Sequence, residues 1–220
     1  MFAGYASWQK KQKRLHTHHI MQQTKVQFSS HEMELIRNSD WILTKNRIIQ
    51  KVAEGMGLLA ERMKAEVRVN SGRLPGVITG SNAKISRGEN YQGLPYLMLD
   101  YPRLFSKDDI FAIRTFFWWG RFCSITLHVK GLYRTSIYEK ISSLTALADH
   151  TFYVSTQGDE WNHDITSAGY EHITNVSSKD FALQLFHSPF TKFSAKVELT
   201  QWDEMEEKLY KLFCVLLKLV

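Results

Sequence analysis

The sequence predicts an α+β fold: one domain with a largely antiparallel sheet of about five strands, packed by a long helix in the N-terminal half, a middle helix and a C-terminal helix. Three observations carry the prediction. Apolar residues recur at steps of three and four over residues 39–67 and again over 200–217, which is the helical period. Residues 94–101 and 193–199 alternate instead, and 114–129 is a β-branched and aromatic run, as strands require. The order is helix, strand cluster, helix, strand, strand, helix, without the regular alternation of a parallel α/β chain.

Each element has its own justification. Ser39 or Asp40 is placed to cap a helix running to about Val67, with Ile48, Ile49, Val52, Met56, Leu59, Met63 and Val67 on one stripe. Gly55 and Gly57 weaken that helix and mark close packing. From Arg68 to Asn90 periodicity is lost among Gly72, Pro75, Gly76, Gly80 and Gly88, so a long loop or a short hairpin is expected. Leu94 to Tyr101 reads as a strand limited by Pro95 and Pro102. Ser106 with Asp109 resembles a capping box, implying one or two helical turns to about Ala112. Arg114 to Val129 reads as a hairpin turning at Gly120-Arg121, in preference to a helix over 106–119. That register pairs Trp118 with Cys123, Phe116 with Ile125 and Arg114 with Leu127, and leaves Thr115, Phe117, Ser124, Thr126 and His128 on the other face.

Tyr133 to Ala148 is helical by its Ile137, Ile141 and Leu144 stripe, and Thr151 to Thr156 is a strand. Residues 157–178 read as a polar loop, and Lys179 to Phe186 as a short helix stopped before Pro189. Phe193, Ala195, Val197 and Leu199 form one face of a last strand. Thr200, with Asp203 completing a capping box, then starts a helix whose inner face is Leu209, Leu212, Phe213, Leu216 and Leu217.

Net charge is misleading until it is divided. Residues 1–31 carry Lys10, Lys11, Lys13, Arg14 and Lys25 and no acid. They read as a basic, disordered N-terminal arm, with residues 32–220 as the globular domain. That domain is nearly neutral, so nucleic acid is an unlikely partner except through the arm. No signal peptide is visible, and the apolar C-terminal run is too short to span a bilayer; a cytoplasmic protein with no membrane partner is expected. Cys123 and Cys214, each among apolar neighbours, read as buried free thiols.

The densest chemistry lies between Gly88 and Gly120, which hold nine aromatics: Tyr91, Tyr96, Tyr101, Phe105, Phe111, Phe116, Phe117, Trp118 and Trp119. Asp100, Arg103 and Arg114 sit among them. A charge in so apolar a run needs a partner, and Asp100 is the natural one for Arg114. Two readings follow. One is a structural Arg–Asp pair pinning two strands. The other is an aromatic site in which Arg103, Arg114, Tyr96 and Tyr101 bind an anionic ligand. His128 beside Ser124 and Thr126 has the character of a general base, as does Asp100. Asp159, Glu160, His163 and Asp164 offer oxygen and nitrogen donors from one loop, where Trp161 is either a lid or an anchor, but neither these nor His16, His18 and His19 form a metal motif.

Phosphate-loop, dinucleotide-fingerprint, nucleophile-elbow, paired-cysteine zinc and His-Glu-x-x-His motifs are all missing from the sequence. The expectation is a non-catalytic binding or interaction domain with an aromatic, Arg-bearing site in 88–128, no cofactor and no metal, and a small anionic ligand or a protein as partner. The alternative is an enzyme on an anionic small molecule with Asp100 or His128 as base. The second alternative is weak nucleic-acid binding through the arm.

Overall fold

The computed structural model describes residues 26–139, 151–175 and 187–219. They belong to two compact units, Met1–Arg47 and Ile48–Val220. Most of the basic arm, the second half of the helix expected from Tyr133 and the helix expected over Lys179–Phe186 lie outside the described residues.

In the first unit, α1 (Ser30–Arg37) begins with a capping box. Ser29 Oγ accepts from the Glu32 amide at 3.2 Å, and the Glu32 carboxylate reaches back to the Ser29 amide at 2.6 Å. The sequence reading missed this helix. The next helix, α2 (Ser39–Val69), has the expected length, but its cap contact comes from Asn38, whose Oδ1 accepts from the Trp41 amide at 3.2 Å.

The second unit is an α+β domain built on a seven-stranded antiparallel sheet. Its strands are β1 (Lys84–Tyr91), β2 (Leu94–Phe105), β3 (Ile110–Trp118), β4 (Phe122–Lys130), β5 (Phe152–Ser155), β6 (Glu171–His172) and β7 (Phe190–Glu198). The first four form a meander, and β7 lies between β4 and β5, giving the order β1-β2-β3-β4-β7-β5-β6. Among the described residues its helices are the remainder of α2, a single turn α3 (Gly76–Thr79), α4 (Leu132–Glu139) and α5 (Met205–Leu217), with short 3-10 turns at Ser71–Arg73, Ile173–Asn175 and Leu199–Glu204.

One face of the sheet carries the main core. Leu97, Leu99, Phe111, Ile113, Phe117, Ile125, Leu127 and Phe193 pack with Val52, Met56, Leu59 and Met63 of α2 and Leu209, Phe213 and Leu216 of α5. Arg62 fastens the two helices, pairing with Glu206 at 3.1 Å and Glu207 at 2.9 Å while lying 4.0 Å over the Tyr210 ring. The other face has a smaller cluster of Phe116, Trp118, Phe122, Ile165 and Tyr170, covered by the segment 156–175.

Several expectations are corrected. The tract from Arg68 to Asn90, expected as a long loop or a short hairpin, carries the turn α3 and ends in strand β1, which forms a hairpin with β2. That strand is an edge and mostly exposed, so it has no core to impose alternation. Its Gly88 is set by a close approach: a Cβ there would lie 2.4 Å from the Tyr96 ring across the strand pair. Strand β2 runs through Pro95 and Pro102; a register shift between Asp100 and Arg103 passes over Pro102, which has no amide to pair. Ser106 and Asp109 do exchange capping contacts, with the Asp109 amide donating to Ser106 Oγ at 2.9 Å, but they close the turn between β2 and β3 and start no helix. Thr200 caps no helix either, since a 3-10 turn from Leu199 precedes α5.

The hairpin of β3 and β4 exists, but its register is one residue away from the expected one. The loop is Trp119-Gly120-Arg121, closed by the Arg121 amide on the Trp118 carbonyl at 3.0 Å, with Gly120 at φ 68°. Phe117 therefore faces Cys123, Phe116 faces Ser124 and Arg114 faces Thr126. The shift moves Thr115 and Phe117 to the helix-packed face and puts Arg114, Phe116 and Trp118 beside Ser124, Thr126 and His128.

Candidate functional site

Three features of the second unit carry polar groups or open space. The first is a buried polar network beneath residues 156–175. Asp100 and Arg114 are register partners on β2 and β3, so their side chains leave the same face at the same height. Both are buried, and the guanidinium forks onto the carboxylate: Nε donates to Oδ1 at 2.6 Å and Nη2 to Oδ2 at 3.0 Å. The third nitrogen, Nη1, lies 3.1 Å from His163 Nε2. Arginine has no acceptor, so this ring nitrogen must be the unprotonated one. Burial, with the nearby Arg114 and Lys192 charges, pushes the His163 imidazole down to about 2.

Residues 156–175 are held down by several side chains. The Tyr91 hydroxyl accepts from the His163 amide at 2.7 Å and donates to Asn162 Oδ1 at 3.2 Å. Tyr170 donates to the Asn162 carbonyl at 2.8 Å. Lys192 on β7 is 1% exposed, and its ammonium donates to the backbone carbonyls of Glu160, at 3.1 Å, and Asn162. Desolvation lowers the amine to about 7 against the opposing pull of Asp159 and Glu160. Trp161 rests on the Phe105 and His128 rings, with centroids 6.3 and 5.6 Å away. His128 is buried below it; burial first, then Lys192 and Arg114, pushes the imidazole down to about 3. Its Nε2 has no hydrogen-bond partner among the described residues.

This geometry divides the residues singled out from the sequence. Asp100, Arg114 and His128 share one face, and Tyr96 packs there at 5.5 Å from Phe116. Tyr101 is on the opposite face, in the main core. Arg103 is turned toward the chain before β1, its Nε donating to the Asn82 carbonyl at 3.0 Å and its amide to Ser81 Oγ at 3.0 Å. The acids of the 157–178 tract are dispersed: Asp159 accepts from the Trp161 amide, Glu160 pairs with Lys130 at 3.3 Å, and Asp164 accepts from Thr166. Among the described residues no group of three or more His, Cys, Asp and Glu side chains is disposed to hold a metal ion. No helix among them is long and apolar enough to cross a membrane.

The second feature is a cleft on the helix-packed face, which sequence reasoning missed. A hollow of about 410 Å³ lies between Val52, Gly55, Met56 and Leu59 of α2, Thr115 and Cys123 of the sheet, and Trp202 and Met205. A second, of about 340 Å³, is lined by Ile48, Phe117, Trp119, Gly120 and Leu199, and shares Lys51, Val52 and Trp202 with the first. Each is within the range of small-molecule sites. Trp202 stands edge-on to Phe117 at 6.1 Å and is 43% exposed. Burial raises the Cys123 thiol to about 12, which favours its uncharged form. Gly55 lines this hollow, and neither there nor at Gly57 would a Cβ meet anything within 4 Å, so the two glycines do not mark the close packing expected of them.

The third feature is a polar hollow of about 330 Å³ at the far ends of α2 and α5, between Glu66, Asn70, Arg73, Cys214 and Lys218. Its acid is already engaged, with Glu66 accepting from Tyr210 at 3.0 Å and from Asn70 at 2.9 Å. Comparison of the chain with protein-family models, with curated proteins and with solved structures finds no match in any of the three.

Proposed function

We propose that this chain is a non-catalytic binding domain whose ligand is a small apolar molecule seated in the cleft between α2 and the ends of β3 and β4. The observation that carries the reading is the pair of hollows sharing Lys51, Val52 and Trp202, walled by Phe117 and Trp119 of the aromatic segment. This site is not the Arg-bearing one expected within 88–128: it takes only Thr115, Phe117, Trp119, Gly120 and Cys123 from that segment, on the face turned away from Arg114, and its other walls come from α2 and residues 199–209. Exposed aromatic and aliphatic walls of this kind gain free energy when an apolar ligand displaces water from them. Arg114 supports the assignment indirectly, because its fork is already filled by Asp100 and His163 and offers an anion little. Both candidate bases are similarly engaged or covered, Asp100 by Arg114 and His128 by Trp161.

The experiment is a titration with N-phenyl-naphthylamine, an uncharged dye that fluoresces on entering apolar sites. Saturable enhancement at one dye per chain is expected. Gly55→Leu should weaken it by at least about tenfold, since residue 55 lines the larger hollow and a leucine there adds bulk to its wall. The variant should remain folded, because leucine is the better helix former. Non-saturating fluorescence, or equal affinity in a folded Gly55→Leu, would remove the cleft from consideration.

A further inference from the structure

We infer that the apolar molecule bound in the cleft carries a positively charged head group, an ammonium, held in the larger hollow by Glu54, Asp203 and the Trp202 ring while its hydrocarbon extends into the smaller one. The inference rests on the cleft being the binding site and adds the charge and chemical class of its occupant.

The two hollows differ in their polar groups. The smaller is walled by Ile48, Phe117, Trp119, Leu199 and Trp202, and among the described residues its one charged side chain is Lys51. The acids Glu54, Asp203 and Glu206 all line the larger hollow. They come from separate elements, Glu54 from α2, Asp203 from the 3-10 turn after β7 and Glu206 from α5, so the acidity belongs to the mouth of the cleft and not to one helix surface.

The three acids are neutralised to different extents. Glu206 pairs with Arg62 at 3.1 Å. Glu54 accepts from the Gln50 amide at 2.9 Å, a partner without charge. Asp203 has no hydrogen-bond or ion-pair partner among the described residues. Against Glu54 and Asp203 stands Lys51, so the larger hollow keeps a net negative charge that attracts a cation and repels a carboxylate.

Trp202 precedes Asp203 in the chain, lines both hollows and is partly open to solvent. An indole face is the best aromatic partner for an ammonium, and here it adjoins a carboxylate that lacks a counter-ion. Phe117 stands edge-on to the ring at 6.1 Å, which limits the ordering that binding must impose on it. The hydrocarbon of such a ligand lies against Val52, common to both hollows, and reaches Ile48 and Phe117 in the smaller one. Glu54 and Asp203 are exposed, so their pull on the head group is screened by salt.

The test displaces bound N-phenyl-naphthylamine with octylammonium, octanoate and octanol at neutral pH, on the wild-type chain and on a Glu54→Gln, Asp203→Asn double variant. The three probes share one tail and differ in the charge of the head. At about 0.01 M salt octylammonium should displace the dye from the wild-type chain at a concentration about tenfold below octanoate, and the gap should close to about twofold at about 1 M salt. The double variant keeps side-chain shape and removes charge; it should weaken octylammonium about fivefold and leave octanol and dye affinity within about twofold. If octanoate displaces as well as octylammonium at low salt, or if the double variant leaves octylammonium unchanged, the ammonium reading is overturned while the cleft stands. Equal losses for octylammonium and octanol in the double variant overturn it too, because the carboxylates would then shape the cleft without reading charge. If the dye does not bind the wild-type chain, both readings fall.

Discussion

Arg114 and Asp100 show how one residue pair organises a sheet face. A carboxylate and a guanidinium, each buried, are tolerable only because two short hydrogen bonds join them, and the Arg114 nitrogen that remains is met by His163. Arg114→Ala leaves Asp100 buried without its counter-charge. Unfolding in urea should then show a loss of about 3–5 kcal/mol, whereas replacing both partners together by leucine and methionine should recover most of it. A single Arg114→Ala within about 0.5 kcal/mol of the parent would mean the pair is not structural. The pairing itself was legible, because a lone charge in an aromatic run demands a partner and Asp100 stood in the preceding strand as a natural candidate. The third member was not. His163 lies 49 residues further on, in a tract without periodicity, and nothing local signals that its ring turns toward β3.

At the scale of elements, legibility followed burial. Helices α2 and α5 and strand β7 press one face onto the core, so their apolar spacing reports their structure directly. Strand β1 sits at the sheet edge with polar residues on both faces, and its sequence resembles a loop. The β3–β4 hairpin was recognisable from composition, but its faces hung on whether Gly120 opens a two-residue turn or sits inside a three-residue one, and a single residue exchanges the faces. The cleft was illegible because it is a space between three separate elements, and a sequence names atoms, not gaps. Gly88 gives a prediction at this scale. Gly88→Val forces a side chain into the Tyr96 ring, which packs on Phe116 and Tyr91, and should cost about 1–3 kcal/mol by thermal unfolding. The same substitution in a Tyr96→Ala background should cost clearly less; equal losses would show that the two positions do not touch in solution.

For the whole molecule, the buried face beneath residues 156–175 makes stability depend on pH. His128 and His163 have folded values near 3 and 2, well below their ordinary 6.5. Below about pH 6.5 the unfolded chain takes up protons that the folded chain refuses, so stability falls as pH falls, by up to about 1.4 kcal/mol per pH unit for each ring. Protonation of His163 would also set a donor against the Arg114 donor. Lys192 acts in a higher window: its folded value near 7 lies below the ordinary 10.5, so stability contributed by its deprotonation appears as pH rises from about 7 toward 10.5. Urea midpoints should decline from pH 7 to pH 5 by the equivalent of about 2–4 kcal/mol, with roughly half of that slope removed in His163→Gln. A flat profile over that range would contradict the burial of both rings.

The place of β7 has a consequence for the order in which the sheet is completed. The meander β1 to β4 is joined by short turns and contains its own neighbours, whereas β5 reaches it only through β7, which is made 35 residues after β5 ends. During synthesis β4, buried along nearly its whole length in the finished domain, therefore waits as an open edge of unpaired amides and carbonyls until residues 190–198 leave the ribosome. The strand that brings Lys192 to the segment over the polar face is the same one that closes this edge. Strand β7 thus completes the sheet and fastens its cover together, and until then the half-built domain is a template for any extended chain that meets it.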